Sequence, residues 1–148
     1  MKISEKIVYV VDDDAVHLSM MRFMLRRIGF IHIETFTDVE SAFNQIQYEK
    51  PNLIISDWNM DPIDGITFLQ EIRQTTGLEN VPFIMVTANT SEDYWRRAIE
   101  SGATEFLYKP FLFDLFREAV LISLDIVDKQ SKLKGIANQH EQLKLFKN

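Results

Sequence analysis

Short apolar runs alternate along the chain with longer stretches in which apolar residues recur at the helical period, and this alternation predicts the elements. Ile7 to Val11 is the first run. Asp12, Asp13 and Asp14 end it, and Val16, Leu18, Met20, Met21, Phe23, Met24, Leu25 and Ile28 then fall at helical spacing up to a stop at Gly29. Ile31 to Phe36 is less purely apolar, as suits an edge strand, and precedes a helix over about Val39 to Tyr48 that ends before Pro51. Leu53 to Ser56 reads as a short buried strand with Asp57 at its carboxyl end. A loop containing Pro62 and Gly65 leads from it to a helix over about Ile66 to Gln74. Val81 to Val86 is a fourth strand, followed by a helix from Ser91 to Ser101 whose Ser91 and Glu92 suit a first turn and which Gly102 stops. Glu105 to Tyr108 is a fifth strand, leading through Lys109 and Pro110 into a last helix that starts near Phe111.

Strands that alternate with helices predict an α/β fold, a doubly wound sheet of five parallel strands. Right-handed crossovers then bring every strand's carboxyl end to one edge. Asp12, Asp13, Asp57, Thr87 and Lys109 all follow strand ends, so all five are expected to meet there. Residues 1–127 are read as one domain and 128–148 as a helical extension, too short for a further DNA-binding or catalytic domain. A heptad counted from Leu112 places Leu112, Leu115, Ala119, Ile122, Ile126, Lys129, Leu133, Ile136, His140 and Leu143 at seam positions. Eight of these ten are apolar or small, so the last helix is expected to continue past the domain and pair, as in a homodimer, or to fold back on the domain.

Composition narrows the function classes. The 148 residues are 46% apolar, enough for one buried core. Sixteen Lys and Arg against 22 Asp and Glu give a formal charge of −6, which disfavours nucleic acid as a direct partner and disfavours anionic lipid. There is no cysteine, so disulfides and thiolate metal sites are excluded. No apolar run approaches the roughly 18 to 20 residues of a membrane span. A cytoplasmic protein is expected.

The chemistry lies at the predicted edge. Where many α/β folds have a glycine-rich phosphate loop, this chain has three consecutive acids, which repel phosphate and suit a hard dication such as Mg²⁺. Asp57 converges on the same place, and the crowding of its charge with the first-loop acids calls for that cation. Such an ion screens a carboxylate attacking a phosphoryl group, which makes Asp57 a candidate nucleophile. Lys109 offers an ammonium and Thr87 a hydroxyl to phosphoryl oxygens. Ala88 is small enough to leave the approach open, with Asn89 beside it, and Pro110 is placed to aim Lys109. Singly, each residue has an ordinary explanation as a cap, a turn residue or a solvated charge; their joint placement after strands one, three, four and five does not. His17, His32 and His140 have no second ligand at suitable spacing, and His17 reads as structural. Trp58 and Met60 are expected to flank the site and shape access, and Trp95 to pack or to face a partner.

In these residues the sequence resembles the receiver domains of two-component response regulators, over roughly residues 5 to 127. Asp12 and Asp13 match the acidic pair, Asp57 in Ser56-Asp57-Trp58-Asn59-Met60 the phosphoacceptor, Thr87-Ala88 the switch hydroxyl with its small neighbour, and Lys109-Pro110 the basic site. The segment from Asp57 to Met60 resembles the chemotaxis single-domain regulators in particular. The resemblance implies a flavodoxin-like strand order 2-1-3-4-5 and Mg²⁺ or Mn²⁺ held by Asp12, Asp13, Asp57 and the backbone carbonyl of Asn59. It also implies Phe106 as the aromatic switch residue, rotating inward in response to Thr87. Phosphate would come from a sensor histidine kinase or a His phosphotransfer protein, and a downstream target protein would read the switch on the face formed by the fourth helix, fifth strand and last helix. The expectation is a stand-alone response regulator, not an enzyme beyond its own phosphotransfer and dephosphorylation. Two alternatives are a Mg²⁺-dependent phosphatase, for which no substrate cap is visible, and an assembly module whose acidic site is vestigial.

Overall fold

A computed structural model describes residues 1–125. After a 3₁₀ turn at Ile3–Glu5 come β1 (Ile7–Val11), α1 (Ala15–Ile28), β2 (His32–Phe36), α2 (Val39–Ile46), β3 (Leu53–Asp57) and α3 (Gly65–Gln74). They are followed by β4 (Phe83–Thr87), α4 (Glu92–Glu100), β5 (Glu105–Tyr108) and α5 (Phe113–Ser123). The five strands form one sheet in the order β2-β1-β3-β4-β5, every pairing parallel.

Strand periodicity sends alternate residues to opposite faces, and two cores result. Val8, Val10, Leu53, Ile55, Ile84, Val86 and Leu107 pack against Leu18, Met21 and Leu25 of α1 and Phe116, Ala119 and Val120 of α5. Tyr9, Val11, Ile54, Phe83, Met85, Phe106 and Tyr108 face Ala42 of α2, Phe68, Leu69 and Ile72 of α3 and Ala98 of α4. Burial on both faces explains why the inner strands read as continuous apolar runs, and why edge strand β2, with exposed His32 and Glu34, does not.

Boundaries differ from expectation by one or two residues, each for a local reason. β4 begins at Phe83 because Pro82 has no N–H to donate; the Pro82 carbonyl still accepts from Ile54 N at 2.9 Å. Ser91 lies outside α4 as its cap, accepting from Tyr94 N. Gly29 and Gly102 end α1 and α4 at φ +126° and +102°, the left-handed region that glycine enters without steric cost.

The last helix stops sooner than the heptad implies. Beyond Ser123, Leu124 N still donates to Val120 O, and Asp125 then takes φ +62°, which ends the helix. Ala119 and Ile122, two seam positions, are buried within the domain. The extension 128–148 and the seam from Ile126 onward lie outside the described residues.

Candidate functional site at the sheet edge

Three adjacent acids follow β1, and the fold gives them different work. Asp14 caps α1, its Oδ1 accepting from Val16 N at 2.8 Å and His17 N at 3.3 Å. Those two backbone bonds, that from His17 first, hold its carboxyl below its ordinary pKa. Asp12 is fully buried, accepts from Asp14 N at 2.9 Å and is tethered through its own N–H to Phe36 O. Asp13 is exposed and points with Asp12 toward Asp57: carboxylate oxygens of the three lie within 4.8 Å of one another.

Lys109 enters from the end of β5. Its Nζ lies 2.7 Å from Asp12 Oδ2 and 3.3 Å from Asp57 Oδ1, and its backbone N donates to Thr87 O at 2.8 Å. The Lys109–Pro110 peptide is cis. Three carboxylates against one ammonium leave two negative charges in excess, which matches a dication bound by hard oxygen ligands. Asp57 is also costly to ionise here. Burial pushes its pKa up; the Lys109 charge opposes this and the Asp12 charge adds to it.

The sequence profile of the response regulator receiver domain matches residues 8–121. The chain belongs to the response regulator receiver family. A probable chemotaxis protein CheY of Rhizobium etli is 34% identical over 121 residues, 81% of this chain and 94% of that protein. The phosphate regulon transcriptional regulatory protein PhoB of Escherichia coli is 34% identical over 70% of this chain, a match that spans 45% of PhoB. Among solved structures, chemotaxis protein CheY4 of Vibrio cholerae superposes with a TM-score of 0.71 at 30% identity, covering 83% of this chain and 98% of that one. Receivers are signalling phosphoacceptors that work with histidine kinases and downstream targets, and the cluster of Asp12, Asp13 and Asp57 is consistent with the receiver Mg²⁺ site.

Around that receiver site the other expected residues divide. Thr87 is buried, and its Oγ1 accepts from Asn89 N at 3.0 Å, which leaves its own proton to donate. Ala88 is exposed beside it, as a small residue at an entrance should be. Asn89 shapes the turn, its Oδ1 accepting from Ser91 N at 2.9 Å. Asn59 is exposed, two residues past Asp57. Phe106 is 1% exposed and already inward, edge-on to Tyr108 at 5.0 Å. Among the described residues, no helix is long and apolar enough to cross a membrane.

Trp58 and Met60 do not rim the site: both are buried in the core on the α2, α3 and α4 face. The Trp58 ring stacks on Tyr94 of α4, centroids 4.4 Å apart, with the Arg97 guanidinium 5.3 Å above it. Trp95 is half-buried against the same core. Sequence reasoning also missed two residues. Gly65 opens α3 directly beneath β3, donating to Trp58 O at 2.8 Å. A Cβ there would meet Trp58 Cα at 2.9 Å and the Asp57 carbonyl oxygen closer still. His17, read as structural, places Nδ1 3.0 Å from Lys109 Nζ. A helix-start glycine carries a faint signal of close approach; His17 carries none, because its partner lies 92 residues away.

Proposed function

We propose that this chain is a CheY-like response regulator that accepts a phosphoryl group on Asp57 from a sensor histidine kinase or His phosphotransfer protein and thereby changes its binding to a downstream target. The observation that carries the reading is the convergence of the Asp12, Asp13 and Asp57 carboxylates within 4.8 Å, with the Lys109 ammonium 3.3 Å from Asp57. Residues at the carboxyl ends of three different strands, β1, β3 and β5, supply that group, which helix capping or surface solvation does not require.

Asp12, Asp13, Asp57 and the backbone carbonyl of Asn59 would hold Mg²⁺ or Mn²⁺, whose charge screens the anionic oxygens brought together in transfer. An Asp57 carboxylate oxygen forms the bond to phosphorus as the bond from phosphorus to the donor's imidazole nitrogen breaks, that electron pair staying on the imidazole. Lys109 donates to a phosphoryl oxygen, and Thr87 turns its free hydroxyl proton to another. Exposed Ala88 leaves the approach to Asp57 open.

The switch runs from Thr87, at the end of β4, to Phe106 and Tyr108 on the paired strand, since Thr87 is in register with Tyr108. New contacts at Thr87 shift the population of states of the α4, β5 and α5 face, where the target binds. Activity beyond self-directed phosphotransfer and autodephosphorylation is not expected. The compartment is the cytoplasm, where sensor kinases present their phosphohistidine.

Intact-mass measurement after incubation with a small phosphodonor, with and without Mg²⁺, tests the reading. One Mg²⁺-dependent phosphoryl group, absent from Asp57→Asn, is the expected result. A wild-type chain left unlabelled where another receiver is labelled would overturn it in favour of an assembly module.

A further inference from the structure

We infer that His17 is a positioning residue for Lys109, the acceptor that keeps its ammonium seated at the site while the other two are withdrawn. The inference rests on the phosphoacceptor reading above and deepens it.

His17 lies in the first turn of α1, and its backbone N–H is fixed on the Asp14 cap at 3.3 Å. Its Nδ1 is 3.0 Å from Lys109 Nζ. An ammonium can only donate, so Nδ1 is the acceptor and the ring proton sits on Nε2. The carboxylates of Asp12 and Asp14, each 3.7 Å from Nδ1, are beyond hydrogen-bond reach and do not compete for that assignment. Lys109 thus has three acceptors for its three N–H groups: Asp12 Oδ2 at 2.7 Å, His17 Nδ1 at 3.0 Å and Asp57 Oδ1 at 3.3 Å.

Two of those acceptors are claimed by the chemistry. Asp57 gives an oxygen to phosphorus, and Asp12 is a ligand for a dication that repels the ammonium. The imidazole is claimed by neither, and being neutral it adds nothing to the charge balance. Until a phosphoryl oxygen is in place to accept from it, a lysine on a flexible four-carbon stem, left by both carboxylates, would otherwise leave for solvent. With a side chain 38% exposed and no place in either apolar core, His17 has little packing role to explain it.

The test compares wild type with His17→Leu, which removes the acceptor at similar volume, and His17→Asn, whose Oδ1 stands where Nδ1 stood. Calorimetric titration with Mg²⁺ alone reads the first effect. In His17→Leu the ammonium leans harder on Asp12, and Mg²⁺ affinity should fall about 3–10-fold, the net worth of one ordinary hydrogen bond, with His17→Asn restoring it to about twofold of wild type. Labelling from a saturating small phosphodonor should slow about tenfold in His17→Leu and recover in His17→Asn. In a Lys109→Met background, His17→Leu should add no further loss, because its effect passes through the ammonium.

Equal losses in His17→Leu and His17→Asn, a loss that persists in Lys109→Met, or no loss in His17→Leu while wild type is labelled would each overturn this inference and leave the phosphoacceptor reading standing. A wild-type chain that takes no label on Asp57 removes both.

Discussion

Asp57 is held where its own charge is costly, and this gives the site a pH signature. Its carboxyl is raised above the ordinary value, by burial first and by Asp12 as well, against the pull of Lys109. A carboxyl that binds its proton more tightly folded than unfolded loses stability as pH rises from the ordinary carboxylate range through the folded value; above that value the ionised group is a standing cost. Asp57→Asn is therefore expected to raise the unfolding midpoint at pH 7 in the absence of divalent cation, with the advantage narrowing as pH falls into the carboxylate range. Melting curves over that range check it, and a lower midpoint at pH 7 would show that attraction to Lys109 outweighs burial. At this scale the sequence exposed the carboxylates, Thr87 and Lys109, because strand ends can be found from neighbouring residues. His17 was hidden, since only the packing of α1 beside the exit of β5 gives it a partner.

At the scale of elements, the site depends on how closely α3 is pressed under β3. Gly65 allows that approach, and Gly65→Ala drives a methyl group into the backbone of Asp57 and Trp58, where no flexible side chain can yield. A loss of about 1–3 kcal/mol or more is expected in urea unfolding, together with slower labelling as Asp57 is displaced. At the opposite end of the sheet, half-buried Arg73 of α3 ties two loops. Its Nε donates to Gly102 O at 3.0 Å, and its Nη1 to Val81 O at 2.7 Å and Leu78 O at 3.4 Å. Arg73→Ala strips three carbonyls of one cation, so about 2–4 kcal/mol should be lost, with Mg²⁺-dependent labelling retained in the fraction that stays folded. The element sequence was legible throughout because strand and helix periods are carried by residues a turn or two apart. The end of α5 was not: the apolar spacing from Leu112 to Ile122 that suggests a pairing seam is, at Ala119 and Ile122, the face laid against the molecule's own core.

For the whole molecule, folding gathers like charges that a bound dication would relieve, so binding and stability are expected to be linked. Mg²⁺ at about a hundredfold its dissociation constant should add about 2.7 kcal/mol, or about 5–10 °C in the unfolding midpoint. Asp13→Asn, which removes an exposed carboxylate that caps nothing, should forfeit most of that gain; thermal melts with and without Mg²⁺ measure both. Sequence by itself determined the order of strands and helices and the five residues expected to gather at one edge. Alternation, capping and turn chemistry act between near neighbours, and parallel connections force strand ends together. Tertiary structure alone decided that Asp14 serves the helix while Asp12 and Asp13 turn to Asp57. It alone turned Trp58 inward onto Tyr94 and set His17 against Lys109, because such contacts arise only once helices from distant parts of the chain are packed on a common sheet.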